Sequence, residues 1–196
     1  MRIIEQSWKI EYFPTKALEI IEMAGRTCYK SKTKGGKDAE RFVKLIVKSG
    51  HHSVIEHVNV TVRIITNRGV THELVRHRIA SYSQESTRYC DYYGEVTFIR
   101  PVWWENATCE QKKLWKKAMT DAENIYNELR NQGWKPEQAR DVLPNALKAE
   151  IVVTMNLRSW LNFFNLRRSE KAHPQIRSLA DDIFVEFCRK IPAVFA

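Results

Sequence analysis

Residues 57–67, HVNVTVRIITN, decide how this chain folds. Every second residue in this stretch is aliphatic, at Val58, Val60, Val62 and Ile64. A period of two is typical of a strand that has one buried face and one face in water. Residues 67–69, Asn-Arg-Gly, break the pattern, and the residues after them predict a helix over 70–78. The fold is therefore built outward from a half-buried strand that leads into a helix.

Helices outnumber strands in the rest of the chain. Apolar spacing and end signals predict further helices at residues 15–25, 38–50, 110–131, 136–144, 157–168 and 174–192. Further strands are predicted at residues 2–6, 96–100 and 151–155, and a polar loop over residues 79–93. Because the order lacks regular βαβ alternation, it predicts the α+β class. We expect one domain over residues 1–196, with a small, mostly antiparallel sheet packed among about six helices.

The predicted helices over residues 38–50 and 110–131 each carry an apolar stripe that we expect to be buried. In the helix over residues 38–50 the stripe is Phe42, Leu45 and Ile46, and Gly50 supplies the left-handed residue that ends the helix. In the helix over residues 110–131 the stripe is Leu114, Ala118, Ala122, Ile125 and Leu129. Both helices are predicted to pack on a core through these residues.

Composition excludes several classes of protein. The chain has 196 residues and 43% hydrophobic residues, enough for a core, and no apolar run approaches the roughly 20 residues of a membrane span. Polar residues soon follow Met1, so we expect no secretory signal and a cytoplasmic protein. The four cysteines form no Cys-x-x-Cys pair, which favours reduced thiols. The net charge of +9 favours anionic ligands.

Residues 76–89, RHRIASYSQESTRY, hold the densest set of ligand-binding side chains. Arg76, Arg78 and Arg88 offer planar donors for phosphate or carboxylate, and the hydroxyl and amide side chains between them add further hydrogen-bonding groups. The stretch is too polar for a core. It is consistent either with the lining of a ligand site or with a solvated helix end and loop.

Three blocks of sequence resemble the flavin-dependent thymidylate synthases. The first is Arg76-His77-Arg78 followed, after seven residues, by Ser86. The second is the block over residues 51–57, HHSVIEH, and the third covers residues 156–167, NLRSWLNFFNLR. The blocks occur in the order in which the family has them. The resemblance covers nearly the whole chain, although residues 107–131 carry little of it.

The resemblance implies an activity and a set of ligands. The reaction is the reductive methylation of dUMP to dTMP, with methylenetetrahydrofolate as one-carbon donor, FAD as hydride carrier and NADPH as reductant. The implied FAD contacts are His51, Ser53, Arg76, His77, Arg78, Asn156, Leu157, Arg158 and Asn162. The implied dUMP contacts are Glu73, Arg76, Gln84, Glu85, Ser86, Thr87, Arg88, Arg140 and Arg167. The resemblance also implies a homotetramer with shared active sites, acting on small molecules rather than on nucleic acid or a membrane.

Arg167 is the residue to which the resemblance assigns catalysis. It matches the arginine that contacts the uracil, where a fixed guanidinium favours the N3-deprotonated form and makes C5 a better nucleophile. Ser86 binds rather than attacks, since no histidine is placed in the sequence to activate it. The chain departs from the family at Lys171, where many members have histidine, and at Glu73, where glutamine is common.

Two rival functions rest on other residues. A zinc hydrolase is suggested by six potential metal-binding or acid-base side chains: His51, His52, Glu56, His57, His72 and His77. Their spacing does not place them on one helical face. A nucleic-acid-binding module is suggested by the net charge and by the aromatic residues Tyr92, Tyr93, Trp103 and Trp104. We expect these aromatic side chains to belong to the core, and we expect no metal.

Overall fold

The computed structural model describes residues 1–196 and contains both helices and strands. The strands are β1 (Arg2–Ile4), β2 (Ser7–Tyr12), β3 (Asn59–Asn67), β4 (Ser81–Gln84), β5 (Thr97–Ile99) and β6 (Lys148–Asn156). The longer helices are α1 (Ala17–Cys28), α2 (Gly36–Lys48), α3 (Arg68–Leu74), α4 (Cys109–Asn131), α6 (Leu157–Arg167) and α7 (Pro174–Lys190). Short α-helices are α5 (Pro136–Ala139) and α8 (Pro192–Phe195), and 3₁₀-helices cover His52–His57, Trp104–Asn106 and Arg140–Val142.

The strands form two sheets. The larger sheet is antiparallel and has the strand order β2-β3-β6-β4. The smaller sheet is a parallel pair, in which Arg2 of β1 is opposite Thr97 of β5 and Ile4 is opposite Ile99. Strand β3 has the predicted alternation, with Val60, Val62 and Ile64 fully buried. The predicted α+β class is confirmed.

The chain divides into two units, which we treat separately. Unit 1 comprises residues 1–7, 64–76 and 83–152, and unit 2 comprises residues 8–63, 77–82 and 153–196. In unit 1 a core cluster is formed by Val96, Phe98, Met119, Tyr126, Ala139 and Leu147. In unit 2 the core is aromatic and contains Trp160, Phe163, Phe164, Phe187 and Phe195. The Trp160 indole N–H donates to the Val60 carbonyl at 3.2 Å, so its polar atom is satisfied inside the core.

Three predicted elements need correction. Strand β4 lies inside the predicted loop over residues 79–93, and β2 was missed although Trp8, Ile10 and Tyr12 alternate with polar residues. Helix α3 ends at Leu74 instead of residue 78. Val75 makes the last helical backbone bond, to the Thr71 carbonyl.

The buried faces of α2 and α4 also differ from the prediction. Leu45 of α2 is 63% exposed, and the buried residues there are Ala39, Val43 and Ile46. In α4, Leu114 and Ile125 are 60% and 49% exposed, and the buried residues are Met119, Glu123 and Tyr126. The α4 prediction is wrong because two residues of its buried face are polar.

Those polar groups have partners, which is why they can be buried. Glu123 accepts a hydrogen bond from the Val96 N–H at 2.8 Å and pairs with the Met1 ammonium at 2.8 Å. The Tyr126 hydroxyl donates to Asp91 at 3.0 Å. The predicted helix end at Gly50 is confirmed by its φ of 82°. No helix is both long enough and apolar enough to cross a bilayer.

Candidate active site

In unit 1 the loop that follows β4 is anchored through the Glu85 carboxylate. Glu85 is 16% exposed, and Lys148 of β6 places its Nζ atom 2.6 Å from one carboxylate oxygen. The Tyr92 hydroxyl donates to the other oxygen at 2.8 Å. Burial, together with this bond to Glu85, raises the pKa of Tyr92, so the phenol keeps its proton. The Glu85 charge is thus compensated, and the carboxylate serves as an anchor rather than a free acceptor.

The next residues, Ser86–Cys90, form a turn with unused donors. The N–H groups of Tyr89 and Cys90 both donate to the Ser86 carbonyl, at 3.1 and 2.9 Å, and the Arg88 N–H donates to Ser86 Oγ at 3.3 Å. The N–H groups of Ser86 and Thr87 donate to no acceptor within the protein. Adjacent free N–H groups at a turn are suited to an anion.

Two arginines accompany this turn. Arg140 Nη1 donates to Thr87 Oγ1 at 3.0 Å, which fixes the turn to the 3₁₀-helix over Arg140–Val142. The Arg88 side chain is 56% exposed, and its ion pair with Glu137 is loose at 3.5 Å. An exposed pair of this kind contributes little to stability, so the Arg88 guanidinium is available to a ligand.

The other predicted nucleotide contacts of unit 1 differ in their exposure and in their hydrogen bonds. Gln84 Nε2 donates to Thr71 Oγ1 at 3.2 Å, which leaves the amide oxygen of Gln84 for a ligand. Glu73 is half-buried on α3, and Arg76 is exposed just beyond the helix end. Unit 1 therefore contains every predicted dUMP contact except Arg167.

In unit 2 the predicted catalytic residue is held by a histidine. Arg167, at the end of α6, donates from Nε to His77 Nε2 at 3.0 Å. The imidazole packs edge-on against Phe163, with ring centroids 5.2 Å apart. The His77 carbonyl accepts a hydrogen bond from the Tyr82 hydroxyl at 2.8 Å. His77 is therefore fixed on both its backbone and its ring.

His77 remains neutral at physiological pH. Burial and, to a smaller extent, the Arg167 charge lower the pKa of His77 from 6.5 to about 4. Because Nε2 accepts the Arg167 hydrogen bond, the single ring proton lies on Nδ1. A neutral acceptor orients the guanidinium and adds no opposing charge of its own.

Helix α6 has a buried face and an exposed face. Leu157 and Trp160 are fully buried, whereas Arg158 and Asn162, four residues apart, project together on the exposed side. Asn156 caps the helix by accepting the Ser159 N–H at 2.9 Å. The cap leaves the Asn156 amide N–H₂ for a ligand.

The remaining predicted flavin contacts lie at the surface of unit 2. His51 and Ser53 are exposed at the start of the 3₁₀-helix over His52–His57, and Arg78 is exposed. Arg158 pairs with Glu56, and both side chains are largely exposed. The structure brings no group of three or more His, Cys, Asp or Glu side chains together at distances suited to a metal ion. Sequence reasoning missed Lys148, Tyr92 and Tyr82, although the polar alternation of KAEIVVTMN over Lys148–Asn156 marks the face that carries Lys148.

Comparison with known proteins gives the family. Residues 10–193 match the model of the family described as thymidylate synthase complementing protein. The chain belongs to this family, and its curated relatives are named flavin-dependent thymidylate synthases. The resemblance drawn from the three sequence blocks is thereby confirmed.

Individual relatives cover most of the chain. The enzyme of Geobacter sulfurreducens is 39% identical over 183 residues, which are 89% of this chain and 77% of that protein. That of Pyrococcus furiosus is 40% identical over 159 residues, 78% of this chain and 64% of that protein. A crystal structure of the UMP/dUMP methylase PolB from Streptomyces cacaoi, bound with 5-Br dUMP, matches the whole chain with a TM-score of 0.85 at 20% identity. This last similarity concerns the fold.

Proposed function

We propose that this protein carries out the reductive methylation of dUMP to dTMP, with methylenetetrahydrofolate as one-carbon donor and NADPH as reductant. The proposal follows the activity of the family to which the chain belongs. The observation that carries it is the hydrogen bond from Arg167 to a neutral His77, because this bond fixes the position of the cationic guanidinium.

The loop of unit 1 is the proposed receptor for the dUMP phosphate. The free N–H groups of Ser86 and Thr87 and the guanidinium of Arg88 are donors for phosphate oxygens, and each charge-assisted bond contributes about 1.5–3 kcal/mol. Arg140 holds Thr87 in place at 3.0 Å and adds positive charge next to the turn. Compensation of Glu85 by Lys148 matters here, because an uncompensated carboxylate would repel the phosphate.

The proposed catalytic residue is Arg167. Its guanidinium stabilises negative charge on the deprotonated pyrimidine and so increases the nucleophilicity of C5. Preorganised groups of this kind are effective because they need little reorganisation during the reaction; losing one donor commonly reduces turnover about 100-fold or more. His77 is a positioning residue in this proposal, since it acts through Arg167.

The donor set of unit 2 fits a flavin dinucleotide. Arg78 and Arg158 supply cations for a diphosphate, while Ser53, His51, Asn156 and Asn162 supply neutral hydrogen-bonding groups. When bound, FAD supplies the hydride chemistry of the reaction. We do not propose a side-chain contact for Leu157, because that side chain is fully buried.

Assembly and location complete the proposal. A homotetramer with shared active sites is the assembly implied by the family resemblance, and size-exclusion chromatography with light scattering tests it. The four cysteines form no disulfide, which supports a reducing compartment such as the cytoplasm.

The absorption spectrum of the protein tests the proposed site. Purified protein is mixed with FAD, desalted and titrated with dUMP; we expect a retained flavin band that dUMP perturbs. Arg167→Ala should retain the flavin band and lose dTMP formation, whereas Arg78→Ala should lose flavin on desalting. Arg189→Ala is the matched control, because Arg189 is 77% exposed and pairs only with neighbouring Glu186. Unchanged turnover in Arg167→Ala would remove that residue from the mechanism.

A further inference from the structure

A concave surface in unit 1 is lined by tryptophans. Its volume is about 340 Å³, and its walls include Trp103, Trp104 and Trp115 together with the amide side chains of Asn106 and Gln111. None of these five residues belongs to the loop or to the α6 residues described above. We call this cavity the tryptophan pocket.

Local structure holds the walls of the tryptophan pocket in place. Trp104 begins the 3₁₀-helix over Trp104–Asn106, and Trp115 lies near the start of α4; their ring centroids are 5.3 Å apart at an interplanar angle of 76°. The Gln111 amide oxygen accepts the Thr108 N–H at 2.8 Å in a capping box. That bond orients the Gln111 amide while leaving its N–H₂ group free.

The tryptophan pocket also has unused hydrogen-bonding groups. The indole N–H groups of Trp104 and Trp115 and the Asn106 side chain make no hydrogen bond within the protein. Trp103 is 45% exposed, so part of its ring surface is open to solvent. Flat apolar walls with donors and acceptors at their edges match a planar heteroaromatic ring rather than an aliphatic chain.

Positive charge adjoins the same walls. The Nζ atoms of Lys112 and Lys116 lie 5.8 and 5.9 Å from the centroid of the Trp104 ring. Neither lysine takes part in an ion pair, and the neighbouring Glu105 is paired with Arg100 at 3.1 Å. The charge is therefore available to an anionic group carried by a ring stacked on Trp104.

We propose that the tryptophan pocket binds a free nucleoside phosphate. The base stacks on the exposed tryptophan surface, its edge meets the free indole and amide groups, and its phosphate meets Lys112 and Lys116. The same chemistry is present in a nucleotide within a nucleic-acid strand, but a cavity of about 340 Å³ is of the size that holds one small ligand. This second nucleotide site is separate from the proposed dUMP site in its residues.

Equilibrium dialysis of the full chain with AMP tests this proposal. Saturating dUMP is present throughout, so that AMP does not occupy the proposed dUMP site. The test variants are Trp103→Leu and Lys112→Gln. Trp134→Leu is the matched control, because Trp134 is also 45% exposed and lies outside the pocket.

We expect AMP to bind the parent protein and the control alike, and each test variant to bind at least about fivefold more weakly. The proposal is overturned if AMP does not bind, or if Trp134→Leu loses as much affinity as Trp103→Leu. It is also overturned if a ten-nucleotide oligo(dA) binds at this surface while AMP does not. Because the variants lie outside the proposed methylation machinery, their dTMP formation in the absence of AMP should stay unchanged. Failure of the AMP site is therefore distinguished from failure of the proposed function.

Discussion

Replacement of Lys148 by methionine tests whether the Glu85 anchor supports the nucleotide loop. The Lys148 side chain is 22% exposed, lies 2.6 Å from Glu85 and is 3.9 Å from Glu150. Methionine preserves most of the packing volume and removes the charge, leaving a largely buried carboxylate with the Tyr92 hydroxyl as a donor. A hydrogen bond to a charged group contributes about 1.5–3 kcal/mol, so we expect the free energy of unfolding to fall by about 2 kcal/mol.

Urea unfolding and dUMP titration measure the two consequences. Lys117→Met is the control, because the Lys117–Asp121 pair is exposed and its loss should change the free energy of unfolding by only about 0.3–0.5 kcal/mol. Lys148→Met should also weaken dUMP binding by about tenfold, and Glu85→Gln in the same chain should restore part of the stability by removing the orphaned charge. Equal unfolding free energies and equal dUMP affinities for the two lysine variants would refute this reasoning.

Three further predictions concern unit 2. Because the folded state lowers the pKa of His77 from 6.5 to about 4, acid favours the unfolded chain: the free energy of unfolding should fall between pH 6.5 and about 4, by about 1–2 kcal/mol after solvent screening. Urea titrations at several pH values should show this slope, and His77→Gln should flatten it. Glu22→Gln should lower the free energy of unfolding by about 2 kcal/mol and speed proteolysis of residues 30–37, because the buried Glu22 carboxylate accepts the N–H groups of Lys34 and Gly35 at 2.9 and 3.1 Å. Unchanged cleavage would contradict this role. Trp160→Phe should lower the free energy of unfolding, measured by thermal unfolding, by about 1–3 kcal/mol, because it leaves the buried Val60 carbonyl without its 3.2 Å donor. A smaller loss of stability than in the exposed control variant Trp134→Phe would contradict this expectation.

The central strand β3 was predictable from the sequence. Strand β3 was predicted because its aliphatic residues alternate, and these are the residues that the structure buries. The buried face of α4 was not predictable in this way, because Glu123 and Tyr126 occupy it with their polar groups satisfied by distant partners. Strand β4 has almost no apolar content, so its place beside β6 depends on backbone pairing that a single segment does not reveal.

Only part of the candidate site could be predicted from the sequence. Its arginines could be named from the motif over residues 76–89, but their surroundings depend on contacts between distant residues. Glu85 and Lys148 are 63 positions apart, and His77 and Arg167 are 90 positions apart. No local pattern encodes such pairs. The tertiary structure adds a Lys148 partner for Glu85 and an Arg167 partner for His77, and the ligand contacts of both residues stay predictions.

Direct measurement of dTMP is the decisive test of the proposed function. The protein is incubated anaerobically with dUMP, methylenetetrahydrofolate and NADPH, with and without added FAD, and the nucleotides are separated by chromatography. We predict dTMP formation that depends on FAD and is lost in Arg167→Ala but kept in Arg189→Ala. Absence of dTMP from the FAD-loaded parent protein, or equal dTMP formation by all variants, would contradict the account.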